Sequence, residues 1–176
     1  MEERKNVVTF NQEPVTLLGP EIQVGQRAPA FKLLDSNMKE VTLSESRGKT
    51  RVLSVVYSLE TPVCNLQAQT FEEQAVKHPG VVIYSVSMDL PFTQARYREE
   101  RKIKKLIFLS DYREASFGMA YGLLIKEMRL LARAIFIIDS SDFVRYVEYV
   151  KEVTSAPDYD QALAALEKVA TECLEP

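Results

Sequence analysis

The chain has 176 residues, 46% of them apolar and 27% charged, with a net charge of −3. That make-up suits one globular domain over residues 1–176 and excludes disordered, fibrous and coiled classes. The mild acidity is spread along the chain and argues against a nucleic-acid partner, and no apolar run approaches the ~20 residues of a membrane span. From the N-terminus, "KNVVTFNQEPVTLLG" alternates apolar and polar residues on both sides of "NQE", which predicts a β-hairpin. "APAFKLLDSNMKEVTLSE" repeats the form, with Phe31–Leu34 and Val41–Leu43 as its strands. Next, "RVLSVVYSL" (51–59) is the β-branched, apolar run of a strand buried on both faces. The following "NLQAQTFEEQAVKH" predicts a helix with Leu66, Thr70, Phe71 and Val76 near one face, stopped at "HPG".

Alternation continues with strand "VVIYSVSM", helix "PFTQARYREERKI", strand "LIFLS" and helix "YREASFGMAYGL". Two strands, "RAIFIID" and "VRYVEYV", and a helix from Asp158 to about Cys173 close the chain. The order implies an α/β fold, a thioredoxin-like mixed sheet with helices on both faces, extended at the N-terminus by β-hairpin structure.

Two cysteines, Cys64 and Cys173, are too few for a disulfide scaffold and show neither CxxC nor zinc-ligand spacing. The start "MEERKNVVTF" carries charges and no apolar leader core, so the expectation is a reduced, cytoplasmic protein. In that setting a free cysteine is inert core or a working thiol. Cys64 follows the central strand where Thr61 reads as a helix N-cap and Pro62 as the first helical residue. A sulfur in the first turn lies beside unpaired N–H groups and the positive end of the helix dipole, which favour an anion.

A helix terminus alone does not make a fast nucleophile. Lowering a thiol from ~8.5 to ~6 raises its thiolate fraction at neutral pH about 30-fold, while intrinsic nucleophilicity falls about 13-fold. Further rate needs a group that binds the electrophile and stabilises its leaving oxygen. Arg133, set between the apolar runs of "LLARAIFIID", is the candidate: it either reaches solvent or meets an anion, because a buried unpaired cation is too costly. Thr61 read alone is equally a plain helix cap.

The segments "SLETPVCNLQAQTF", "SVSMDLPFTQARYR", "LSDYREASFGMAYGL" and "IKEMRLLARAIFIID" together resemble the bacterial thiol peroxidase branch of the peroxiredoxins, over nearly the whole chain. The resemblance implies reduction of hydrogen peroxide or alkyl hydroperoxides on a thioredoxin-like fold, as a homodimer, with no metal and no organic cofactor. It gives Cys64 the role of peroxidatic cysteine. Thr61 then contacts the sulfur and the peroxide, and Arg133 holds the thiolate and the peroxide oxygens.

The chain departs from the family at two positions. Tyr57 stands where peroxiredoxins carry a proline that shields the sulfur, and an aromatic ring can shield as well. Arg98 stands where the thiol peroxidases place the resolving cysteine, so the usual intramolecular disulfide cannot form. A sulfenic acid on Cys64 must then meet an external thiol, either thioredoxin or a small thiol, or else Cys173, and otherwise risks irreversible oxidation. Three readings follow: a one-cysteine peroxidase, a redox sensor that relays oxidation to a partner, or a decayed relative whose pocket Tyr57 blocks.

His78, the single histidine, reads as a solvent-facing helix end and not as a base for Cys64. "ARYREERKIKK" reads as a solvated basic face, and Phe92, Phe117, Met119 and Tyr121 as core or interface. No metal-ligand cluster, dinucleotide fingerprint or phosphate loop is present in the sequence.

Overall fold

The structure, a computed structural model, describes residues 1–172; Cys173 lies outside the described residues. β1 (Glu3–Phe10) and β2 (Glu13–Leu18) form the expected hairpin. Its tip residues Asn11 and Gln12 have φ of 50° and 70°, the left-handed pair that a two-residue hairpin turn requires. The second hairpin, β3 (Lys32–Leu34) and β4 (Glu40–Thr42), does not stand apart. It joins the edge of the main sheet through Leu34 and Ser110.

That sheet holds β5 (Arg51–Val55), β6 (Val82–Ser87) and β7 (Ile107–Ser110) in parallel. β10 (Ala134–Ile138) runs antiparallel against β5, with β11 (Val144–Tyr149) outside it, giving the order β11-β10-β5-β6-β7-β3-β4. Every residue of β5 is buried, as its nearly continuous apolar run predicts, although the strand ends at Val55, before the predicted Leu59.

Period-two alternation divides the core between the sheet's faces. Val52, Ile83, Phe108, Ile135 and Ile137 meet α1 (Pro62–Lys77), α2 (Pro91–Glu100) and α4 (Tyr159–Glu172). Leu53, Val55, Tyr84, Val86 and Phe136 face the other way, toward the N-terminal hairpin and the short α3 (Ser116–Ala120). Helices therefore lie on both faces, the three long ones on one.

Local readings need correction. On α1 only Phe71 of the expected stripe is buried. Leu66 and Val76 are 53% and 60% exposed, and the inward face is Cys64, Gln67, Ala68, Phe71 and Ala75. That face sets one aromatic among small and amide side chains, so apolar bulk was the wrong guide. The helix predicted over 112–123 shrinks to α3, since Ala115 at φ 53° and Gly122 at φ 65° break it at both ends. Two very short strands escaped the sequence reading: β8 (Leu124–Ile125) and β9 (Leu130–Leu131), which extend the hairpin into a second sheet. Phe117 and Tyr121 are core, whereas Phe92 is 67% exposed.

Candidate active site

The register of the sheet assembles the site. Ala134 lies opposite Val55, so Arg133 enters β10 at the end where β5 hands over to the loop leading to Cys64. Sites in open α/β sheets form at this carboxyl edge of the parallel strands. Thr61 is the N-cap of α1 and Pro62 its first residue. The helix's first bond is Asn65 N–H to the Thr61 carbonyl at 2.9 Å, so the N–H groups of Val63 and Cys64 precede the hydrogen-bonded ladder.

Cys64 and Arg133 are both completely buried, and Arg133 Nη2 donates to Cys64 Sγ at 3.3 Å. The rest of the guanidinium is committed. Nε donates to the Val153 carbonyl at 2.9 Å and Nη1 to Gln67 Oε1 at 2.8 Å, while the plane sits over the Tyr57 ring, 5.3 Å from its centroid. No carboxylate pairs with Arg133 among the described residues. Burying a cation costs several kcal/mol unless it is compensated, and beside the carbonyl, the amide and the ring the remaining partner is the Cys64 sulfur.

Gln67 was not picked out from the sequence. It follows Cys64 by three residues and therefore shares its helix face, a spacing that could have revealed it. Its amide is fixed in turn: Nε2 donates to Ser54 Oγ at 2.8 Å and to the Val55 carbonyl at 3.3 Å, which leaves Oε1 as the acceptor for Arg133.

Thr61 occupies the cap position without making the cap bond. Its hydroxyl donates instead to the Ser58 carbonyl at 3.0 Å, so its oxygen can still accept from a bound molecule. Tyr57 is half-buried, borders both halves of the core, and meets Phe10 of the hairpin edge-on with centroids 5.2 Å apart. Asp89 ties down the intervening loop: its carboxylate accepts from Ser58 Oγ at 3.1 Å, Leu59 N–H at 2.9 Å and Ser87 Oγ at 2.8 Å.

Glu152, beside the Val153 carbonyl that holds Arg133, takes hydrogen bonds from Gln12 N–H at 2.6 Å, Thr9 Oγ1 at 3.1 Å and Thr154 Oγ1 at 2.6 Å. Burial works to raise its pKa, but the bonds from Thr154, Gln12 and Thr9 outweigh it and hold the carboxyl at about 2. The carboxylate thus fastens the hairpin tip, which brings Phe10 against Tyr57, to the loop that supports Arg133.

The remaining candidates lie elsewhere. Arg98 donates to the carbonyls of Ile103 and Lys104, at 3.3 and 3.1 Å, and closes the end of α2. His78 caps α1 as expected, yet its side chain is only 14% exposed; Nε2 lies 3.1 Å from a Glu167 oxygen, off the line of a hydrogen bond. The basic stretch is partly self-neutralised, with Arg96 reaching Glu60 at 2.6 Å. Among the described residues no group of His, Cys, Asp and Glu is placed to hold a metal, and no helix is long and apolar enough to cross a membrane.

A mixed sheet of this topology, with a cysteine in the first turn of the helix that follows its central strand, defines the thioredoxin-like class of thiol proteins. The Redoxin family profile matches residues 23–163, and the chain belongs to that family. A thiol peroxidase of Halalkalibacterium halodurans is 48% identical over 90% of this chain and 95% of its own length. That of Bacillus subtilis is 44% identical over the same shares. Among solved structures, a peroxiredoxin-like protein from Aquifex aeolicus superposes with a TM-score of 0.86 at 35% identity, covering 99% of this chain and 100% of its own. A thiol peroxidase from Chromobacterium violaceum, at 21% identity and a TM-score of 0.83, shares the fold.

Proposed function

We propose that this protein reduces hydrogen peroxide and alkyl hydroperoxides at Cys64, as a one-cysteine thiol peroxidase. The observation that carries the reading is Arg133, wholly buried, without a carboxylate, and directed at Sγ. The thiolate attacks the terminal peroxide oxygen and the O–O bond breaks. The alkoxide leaves and takes a proton to become an alcohol, or water from hydrogen peroxide, and Cys64 becomes a sulfenic acid. Arg133 faces both the sulfur and the charge that grows on the oxygens, the arrangement that lowers such a barrier most. The Thr61 hydroxyl accepts from the peroxide O–H, and Tyr57 with Phe10 screens the pair from water.

An external thiol, thioredoxin or a small molecule, then displaces water from the sulfenic acid, and a second thiol releases Cys64. With Arg98 in α2 committed to carbonyls, no thiol of the described residues stands ready to resolve it. A homodimer in the cytoplasm belongs to the same reading; the exposure of Leu90 and Phe92 at the start of α2 supports a second copy there.

The test is intact mass under non-reducing conditions after one equivalent of hydrogen peroxide with a sulfenic-acid trap. One oxygen or one trap on Cys64, and none in Cys64→Ser, is the expected result. Persistence of the product in that variant sinks the reading. Loss of two hydrogens per chain assigns resolution to Cys173.

The lack of a resolving cysteine at Arg98 favours a second reading, a sensor that passes its oxidation to one protein partner. A trapped mixed disulfide with that partner, together with slow turnover by small thiols, would distinguish it.

A further inference from the structure

The first turn of α1 and the outer face of α2 enclose a cleft of about 280 Å³, walled by Glu60, Thr61, Pro62 and Asn65 on one side and Tyr97, Glu100 and Arg101 on the other. Its charges are unequally committed. Arg96 is shared between Glu60 at 2.6 Å and Glu100 at 3.9 Å, and Arg98 is bound to carbonyls. Arg101 has no carboxylate partner among the described residues; its guanidinium lies over the Tyr97 ring, 5.9 Å from the centroid. Tyr97 is itself buried and hydrogen-bonded through its hydroxyl to Asn65 Oδ1, so the surface that orients Arg101 is fixed to the turn that carries Cys64. The cleft therefore presents one oriented, unpaired cation and two carboxylates that share a single arginine.

From this geometry we infer that the cleft binds the reductant, a low-molecular-weight thiol bearing a carboxylate and an ammonium group, of the cysteine type. Arg101 takes the carboxylate and Glu60 or Glu100 the ammonium. The inference rests on the peroxidase reading and specifies its second substrate. A cleft of this volume admits an amino acid or short peptide.

Sγ points to Arg133, whereas Thr61, Pro62 and Asn65 of the same turn line the cleft. The sulfenic acid meets the bound thiol when residues 61–64 swing out, while Asn65 stays held on the cleft wall by the Tyr97 hydroxyl. Pro62 has no N–H to lose, and the first helical bond is the single Asn65 to Thr61 contact. The thiolate then attacks Cys64 sulfur, the S–O bond breaks, water leaves with the thiol proton, and a mixed disulfide forms. A second thiol attacks the small-molecule sulfur, releasing its disulfide and reduced Cys64.

The experiment compares L-cysteine with cysteamine, which keeps the ammonium and lacks the carboxylate, as reductants of the Cys64 sulfenic acid in wild type and Arg101→Gln. The variant should raise the half-saturating concentration of L-cysteine about 10-fold. It should leave the cysteamine rate and the rate of Cys64 oxidation by peroxide within about two-fold of wild type, because Arg101 is exposed and outside the oxidation site. Equal effects on both thiols, or none on either, overturn the assignment. Failure of wild-type Cys64 to form a sulfenic acid at all overturns the peroxidase reading instead.

Discussion

Two arginines are buried without remainder in this molecule, at opposite ends of the ladder between β5 and β10: Arg51 lies opposite Ile138, and Arg133 just beyond the Ala134–Val55 pair. Arg51 is ion-paired with the Asp142 carboxylate, and its Nη1 donates to the carbonyls of Lys49 and Asp139 at 2.5 and 3.2 Å. Arg133 has carbonyl, amide and aromatic partners, and where Arg51 has a carboxylate it has a sulfur. The desolvation problem is the same at both ends. At one end a carboxylate answers it, and at the other the partner is a thiol sulfur.

Breaking the two ends should separate these outcomes. Arg133→Gln is expected to lower the second-order rate of Cys64 oxidation about 10²- to 10³-fold, the usual loss when a charge-stabilising donor is removed. Stopped-flow oxidation measures it, with Cys64→Ser as the zero. Arg51→Gln should instead leave Asp142 with only the exposed Arg27, 3.6 Å away, and lower unfolding free energy by about 2 kcal/mol in a denaturant titration, with the oxidation rate of the folded protein held.

A smaller change sharpens the same contrast. Gln67→Leu leaves both charges and removes only the amide that aims the guanidinium, so oxidation should slow about 10-fold with little rise in the peroxide concentration needed for half-saturation. Replacing the ring beneath the cation, in Tyr57→Leu, should slow oxidation about three-fold, the weight of a modest cation–π contact. A faster Tyr57→Leu would mean that the ring obstructs peroxide more than it orders Arg133.

The smallest effects are in pH. Glu152, held at about 2, stabilises the fold above its unfolded pKa of ~4.3, and this contribution is lost as pH falls toward 2. Asp111 behaves oppositely. Burial pushes its carboxyl up to about 6 against the N–H bonds of Gly118 and Phe117, so its contribution is complete below pH ~4 and fades as pH rises through 6. Stability differences between wild type and Glu152→Gln should therefore close in acid, while those between wild type and Asp111→Asn should grow in wild type's favour.

The strands were legible because β5, β6 and β10 are mostly apolar and β-branched, and Cys64 was legible from its place after β5. Arg133 was only half legible. "LLARAIFIID" and "GKTRVLSVV" pose the same sequence pattern, an arginine ahead of an apolar run, and nothing in either says which one meets a carboxylate. That distinction lives in pairings across 91 residues for Arg51 and 69 for Arg133. Gln67 was missed because a polar residue on a helix reads as surface unless a buried partner is known. The inward face of α1 was misassigned for the converse reason: Leu66 and Val76 are apolar and outside. β8 and β9 are two-residue strands, too short for a period to show.

The span of 69 residues between Cys64 and Arg133 has a consequence for biogenesis. At ~5–20 residues per second, a ribosome makes the cysteine about 3 to 14 s before it makes the arginine. Throughout that interval the thiol lacks the cation, the Val153 carbonyl and the closing hairpin contact that the folded site supplies. A nascent chain therefore carries Cys64 without the arrangement around it, which is complete only when the last strands have closed over the sulfur.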